Sequence, residues 1–222
     1  MKQFECEAVL FDLDGVLVDS TACVERHWRL WAQQHGLDAT EILKISHGRP
    51  TIETMRLVAP YLSVESEARS LDRSQADDTV DVVEVAGATK LLAAIPKNRW
   101  AVVTSGNYAI ATTRMRHTGL PLPQVLVTTE NVSLGKPSPE GYLKAATLLG
   151  LKPKQCVVFE DAPPGIQAAK AAGMAVVGVT TTYQAAELSL ANICVPTLAN
   201  IELGTIDGSG NSTGLELLVV GS

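Results

Sequence analysis

The chain lacks any apolar run near the ~20 residues that a helix needs to cross a bilayer, and it has no basic block. Its 18 Lys and Arg face 24 Asp and Glu, for a net charge of −6. Without a clustered positive footprint, nucleic acid is not an expected partner. Any bound phosphate must then be handled by local cations or a metal. Cysteine is scarce as well: Cys6, Cys23, Cys156 and Cys194 lie far apart, with no CxxC or zinc-like spacing. They read as free thiols of a reducing cytoplasm. The opening stretch MKQFECEAVLFDLDG has a short apolar run that ends in acids rather than at a small-residue cleavage site, which is not the pattern of a secretory signal. There are no internal repeats and no low-complexity tract. What remains is 222 residues, 46% apolar and 19% charged, with a mean hydropathy of +0.14. That is enough for one α/β core and a smaller inserted unit. We expect a soluble cytoplasmic protein, a monomer or weak dimer with no membrane partner.

Short apolar runs recur along the chain: AVLF (8–11), WAVVT (100–104), QVLVTT (124–129), CVVFED (156–161), AVVGVT (175–180) and ICV (193–195). Continuous apolar runs suit strands buried on both faces, as in a parallel sheet. Helical segments lie between them. Asn107 can cap one that Gly119 closes, Ser138 with Pro139 another that Gly150 closes, and a third runs from about Pro163 to Gly173. Alternation of strand and helix predicts a doubly wound, mainly parallel α/β core.

The stretch from about Val16 to Val85 breaks that rhythm. It has no strand-like run, and Val24, Trp28, Trp31 and His35 recur at helical spacing before Gly36. PTIETMRLVAPYL and SVESEARSLDRSQADD are helical in composition. An all-helical cap over 18–84, inserted into a core of 1–17 and 85–222, is predicted, with hinges at Val16–Asp19 and Val82–Gly87. The tryptophans read as its core, and His27, His35 and His117 as structural. The tail after Ile201, with IDGSGNSTG between apolar stretches, reads as a hairpin at a sheet edge.

Ligands of open α/β sheets bind beyond the carboxyl ends of the strands. Collecting the polar residues there gives Asp12 and Asp14, Thr104 and Ser105, Lys136, and Glu160 and Asp161. Four carboxylates on one rim repel one another unless a cation intervenes. A hard divalent metal with oxygen ligands, magnesium above all, resolves the conflict.

In order and spacing these residues resemble the four motifs of the haloacid dehalogenase superfamily. Asp12-Leu13-Asp14-Gly15-Val16 resembles the first, Thr104 the second, Lys136 in GKPSPE the third, and Glu160-Asp161 in FEDAPPGI the fourth. A helical insert just after the first motif is similar to the type-I cap. TSGNYAIA, GKPSPEGYLKAATLLGL and EDAPPGIQAAKAAG resemble the sugar phosphatases of the hexitol, 2-deoxyglucose-6-phosphate and glycerol-phosphate group. The resemblance implies a phosphatase of a small sugar or polyol phosphate. Asp12 would be the nucleophile and Asp14 the general acid and base. Thr104, Lys136 and the Ser105 amide would hold the phosphoryl oxygens. Mg2+ would sit on Asp12, the backbone carbonyl of Asp14, Asp161 and Glu160, the last directly or through water. Gly15 would border the substrate, and from the cap Arg49 would contact phosphate or sugar and His47 a hydroxyl. Asn107 would bind phosphate or only cap its helix. Asp14 argues against the dehalogenating members, which lack an acid there, and against the ion-pumping ATPases, which carry threonine. A β-phosphoglucomutase-like mutase shares the motifs and cap type and is the alternative. A non-catalytic phosphosugar-binding protein is the reading from another class.

Overall fold

The computed structural model describes residues 2–206 and 214–220. Strands are β1 (Lys2–Cys6), β2 (Ala8–Phe11), β3 (Val18–Asp19), β4 (Val83–Glu84), β5 (Trp100–Val103), β6 (Val125–Val127), β7 (Cys156–Glu160), β8 (Ala175–Val179), β9 (Ile193–Val195), β10 (Ile201–Ile206) and β11 (Gly214–Val219). Helices are α1 (Thr21–His35), α2 (Ala39–Ser46), α3 (Thr51–Val58), α4 (Val64–Asp77), α5 (Ala88–Ala94), α6 (Tyr108–His117), α7 (Glu140–Leu148) and α8 (Pro163–Ala171). Six strands form one sheet in the order β6-β5-β2-β7-β8-β9, every pair parallel. All six apolar runs of the sequence lie in it.

Strand alternation divides the core between the two faces of this sheet. Val9 and Phe11 pack on the side of α5 and α6, where Phe11 stacks on Phe159 with ring centroids 5.3 Å apart. Ala8 and Leu10 face Tyr142 and Ala145 of α7 and Ile166 and Ala169 of α8. Fully burying side chains of this size stabilises by roughly 1.5–3 kcal/mol each. With both faces covered, β2 and β7 are buried along their whole length. The expected doubly wound core is the observed one.

Four helices, α1 to α4, follow β2 and enclose their own core of Trp28, Trp31, Ile42, Met55, Ala68 and Leu71. Trp28 and Trp31 meet edge to face at 5.5 Å. Gly36 ends α1 in the left-handed conformation. The segment is not free of strand, as the sequence suggested. At its two ends β3 and β4 pair antiparallel, Val18 opposite Glu84 and Asp19 opposite Val83. Two-residue strands are too short to show a periodicity. Helix α3 ends at Val58, so the expected helical stretch through Leu62 closes early.

Two further readings need correction. Ser138 lies two positions before the start of α7, whose N-cap is Pro139, although its hydroxyl does accept from the Glu140 N–H at 3.3 Å. The tail strands β10 and β11 pair antiparallel as expected, while the turn predicted between them lies outside the described residues. They do not edge the parallel sheet. They join β1, in the order β1-β11-β10, in a separate sheet. Leu215, Leu217 and Val219 alternate inward onto the core, as half-buried antiparallel strands do.

Candidate active site

Strands β2, β5 and β7 bring Asp12, Thr104 and Asp161 to one rim because each residue directly follows its strand, while Glu160 ends β7. Asp12 is fixed at both ends of the residue. Its N–H donates to the Phe159 carbonyl at 2.9 Å, and its Oδ1 accepts from the Leu13 N–H at 2.7 Å. Lys136 reaches in from the loop before α7 and lies 2.9 Å from Asp12 Oδ1 and 2.5 Å from Glu160 Oε1. The Tyr142 hydroxyl donates to the same Glu160 oxygen at 2.6 Å, and the Lys136 ammonium sits over the Tyr142 ring.

These groups are almost fully buried: Asp12 is 3% exposed, Lys136 5%, Glu160 0% and Asp161 3%. Burial raises the Asp12 carboxyl to about 7, with Glu160 adding to the effect and Lys136 opposing it. Burial, then Asp12 and Glu160, push Asp161 well above the carboxylate range. Burial works against the charge on Lys136, yet Asp12 and Glu160 together hold its ammonium above the ordinary lysine range. Three acids thus share one ammonium. One oxygen from each lies within 4.8 Å of the other two, and the buried Oε2 of Glu160 has no partner among the described residues. An all-oxygen, net-negative, buried set with an orphaned acceptor fits a hard divalent cation.

Gly15 lies in the left-handed region at φ 81°, and a Cβ there would run into the Asp161 carboxylate. Its place is explained by that close approach. Asp14 faces a cavity of about 70 Å³ between rim and helices, which Gly15, His47, Gly48, Arg49, Thr104, Ser105 and Asp161 also border. The loop between α2 and α3 comes close to the rim. Gly48 has φ 73°, and a Cβ there would stand 2.7 Å from that of Ala162. The Ser105 hydroxyl donates to the Gly48 carbonyl at 2.9 Å, so this side chain ties the sheet rim to the loop after α2. Arg49 donates from Nε to the Ile45 carbonyl at 3.2 Å. His47 meets the Tyr183 ring edge-on, and burial lowers its proton affinity. Asn107 uses its side-chain oxygen to cap α6, accepting from the Ile110 N–H at 2.9 Å. Of its two expected roles, the helix cap is the one this bond supplies.

A family model of haloacid dehalogenase-like hydrolases matches residues 6–173. The chain belongs to this family. It is 40% identical to hexitol phosphatase A of Escherichia coli over 88% of this chain and 93% of that one. It is 37% identical to 2-deoxyglucose-6-phosphate phosphatase 2 of Saccharomyces cerevisiae, over 82% and 83%. Among solved structures, a hydrolase from Pseudomonas syringae covers 87% of this chain and 94% of its own at a TM-score of 0.77 and 24% identity, a likeness of fold. The relatives fall in the sugar-phosphatase group that the sequence resembles.

Several residues of this hydrolase's cavity carry no motif. Ser20, Trp28, Gln75, Arg114 and Thr182 all line it. Trp28 therefore belongs both to the cap core and to the cavity wall, a double role not read from its spacing. Arg114 did leave a signal. It falls with Ile110, Ala111 and Met115 on the buried face of α6, where a charge is out of place unless it has a partner.

Proposed function

We propose that this hydrolase is a magnesium-dependent phosphatase of a small sugar or polyol monophosphate, acting through a phosphoaspartate on Asp12. One observation carries the reading: Asp12 is paired with Lys136 and grouped with Glu160 and Asp161, with Asp14 at the edge of the cavity. The names of the relatives, which include a glycerol-1-phosphate phosphohydrolase from Saccharomyces cerevisiae at 37% identity, supply the substrate class.

Lys136 and the Leu13 N–H hold Oδ1 of Asp12, and no donor among the described residues reaches Oδ2. That oxygen attacks phosphorus in line with the leaving group. Thr104, Lys136 and the Ser105 amide stabilise the charge that spreads over the phosphoryl oxygens. Asp14 gives the departing alcohol its proton, then takes one from the water that hydrolyses the phosphoaspartate. Asp12, Glu160, Asp161 and the backbone carbonyl of Asp14 would hold magnesium, which when bound offsets the repulsion between the rim and a phosphate dianion. Residues 18–84 would act as a cap on a core of 1–17 and 85–222, hinged at the β3–β4 ribbon. His47 and Arg49 would meet the alcohol part of the substrate.

A panel of sugar and polyol monophosphates, assayed for inorganic phosphate with magnesium and with chelator, tests this reading. Metal-dependent release from at least one of them is expected. An isomerised phosphosugar without free phosphate would instead make the protein a mutase, and no release from any would refute the proposal.

A further inference from the structure

Arg114 lines the cavity and has no part in the phosphoryl chemistry or in the expected contacts to the alcohol. It is 2% exposed, and a guanidinium cannot shed its charge to suit burial. Its Nη1 donates to Oδ1 of Asp14 at 2.5 Å and its Nη2 to Oε1 of Gln75 on α4 at 3.3 Å. Ser20, at the foot of α1, donates to that same Asp14 oxygen at 2.7 Å. The two oxygens of Asp14 are therefore unequal. Oδ1 takes two donors, and Oδ2 takes none among the described residues. The Asp14 side chain is 28% exposed and borders the cavity.

We propose that Arg114 is a positioning residue that fixes Asp14 by Oδ1 so that Oδ2 is the oxygen exchanging the proton, and that its second prong, on Gln75, ties this orientation to the seating of α4. The inference rests on the reading of Asp14 as general acid and base. In the first step, Asp12 forms a bond to phosphorus and the phosphorus–oxygen bond of the ester breaks. The leaving oxygen keeps the bonding pair and takes the proton from Oδ2 of Asp14. Oδ1 can accept from Arg114 and Ser20 whether Oδ2 is protonated or not, so the clamp holds through both half-reactions. A purely structural ion pair would account for the burial of Arg114. It would not account for a partner that is the acid at the cavity edge, held by one oxygen only. A substrate-binding role is disfavoured because both Nη groups are engaged and the side chain is covered.

The test compares kcat/KM for glycerol 1-phosphate, whose alkoxide must be protonated to leave, with that for p-nitrophenyl phosphate, whose phenolate leaves unaided. This ratio ends at leaving-group departure, so hydrolysis of the phosphoaspartate does not enter it. In Arg114→Gln the glycerol phosphate value should fall about 30–300-fold through kcat, within the range of lost general acid catalysis. The aryl value should fall less than about 3-fold by the same reasoning. Arg114→Lys, which offers one prong, should recover part of the loss. Gln75→Ala should show a smaller loss of the same selectivity, and it keeps the question answerable if Arg114→Gln does not fold. Equal losses on both substrates, or a loss confined to KM, would overturn the proposal. Asp14→Asn is the control. If it shows no ester-selective loss, the acid reading itself is wrong, and if it alone shows one, only the role of Arg114 is.

Discussion

The rim of the parallel sheet and the loop that covers it are held in opposite ways. On the rim, Asp12, Glu160 and Asp161 are buried at strand ends, and the buried Lys136 pairs directly with Asp12 and Glu160. The covering loop at 47–49 is held to the core by isolated bonds. Ser105 donates to the Gly48 carbonyl, and nearby the Gly135 N–H donates to Glu53 of α3 at 3.1 Å. Arg49 turns back only onto its own segment. Charge is concentrated where the backbone is fixed by parallel strands on both sides. The groups suited to sensing an alcohol are placed where a few hydrogen bonds, each worth about 0.5–1.5 kcal/mol net, can be exchanged. If that contrast is right, rim variants should lose the chemistry and loop variants should lose selectivity.

The largest effect should come from the rim. Asp12→Asn keeps the shape and an acceptor for Leu13 and Lys136 but removes the nucleophile. Turnover should fall by about 10⁵–10⁶-fold, the scale of a deleted nucleophile. The metal-free variant should melt no lower than the parent, because an amide in that pocket avoids the burial that raises the Asp12 carboxyl. Phosphate release near the parental rate would end the phosphoaspartate reading.

The second test uses the raised carboxyls. Asp12 goes from an ordinary 3.8 to about 7 in the metal-free fold, so between those values the folded protein binds more protons than the unfolded chain. Stability of the metal-free protein should therefore decline as pH rises through that window, by the sign of the proton linkage. A bound cation must displace the proton, so its affinity should rise about tenfold from pH 6 to pH 8 for one displaced proton. Calorimetric titration with magnesium at both values measures it. An affinity independent of pH would mean that the rim is already ionised and needs no cation to become so.

The contrast also explains what the sequence made legible. Asp12, Thr104 and Glu160-Asp161 each end a local apolar run, so strand and rim residue could be read in one glance. The Arg114–Asp14 pair spans 100 positions, and β1 meets β11 across nearly the whole chain. No local pattern marks such partners. What remained visible was an arginine on an apolar helix face and a half-buried alternation in GLELLV, features that show burial without saying against what. Ser105 illustrates the same limit. Its place after β5 was legible, but not that its hydroxyl would reach the cap.

The loop should respond more mildly. Arg49→Ala is expected to lower kcat/KM for the preferred polyol phosphate by about 10–100-fold, at ~1.4 kcal/mol per decade. The loss should fall mainly on KM if, as proposed, Arg49 meets the alcohol part rather than the reacting atoms. Steady-state kinetics on two polyol phosphates of different length would check it. A loss as deep as that of Asp12→Asn would erase the distinction between rim and loop.

The smallest effect belongs to the seam between the two regions. Asn107 caps α6 with its oxygen, and its side chain also lies beside the Asp72 carboxylate of α4, which burial keeps more proton-avid than usual despite the influence of Thr51 and Asn107. Asn107→Ala removes cap and tie together and should cost about 1 kcal/mol, within the range for lost helix caps. Asn107→Asp keeps a good capping oxygen but sets one carboxylate against another across the seam, so it should be destabilised as well, and more at pH 8 than at pH 5. Adding Asp72→Asn restores an Asp–Asn pair in reverse, and the double variant should regain most of the loss, a coupling of about 0.5–1 kcal/mol expected only for groups in contact. Urea unfolding of the parent, Asn107→Asp, Asp72→Asn and the double variant at both pH values measures the cycle. If the losses simply add, Asn107 and Asp72 do not hold the seam. If kcat/KM falls equally in Asn107→Asp and in the double variant, the amide faces the substrate phosphate instead.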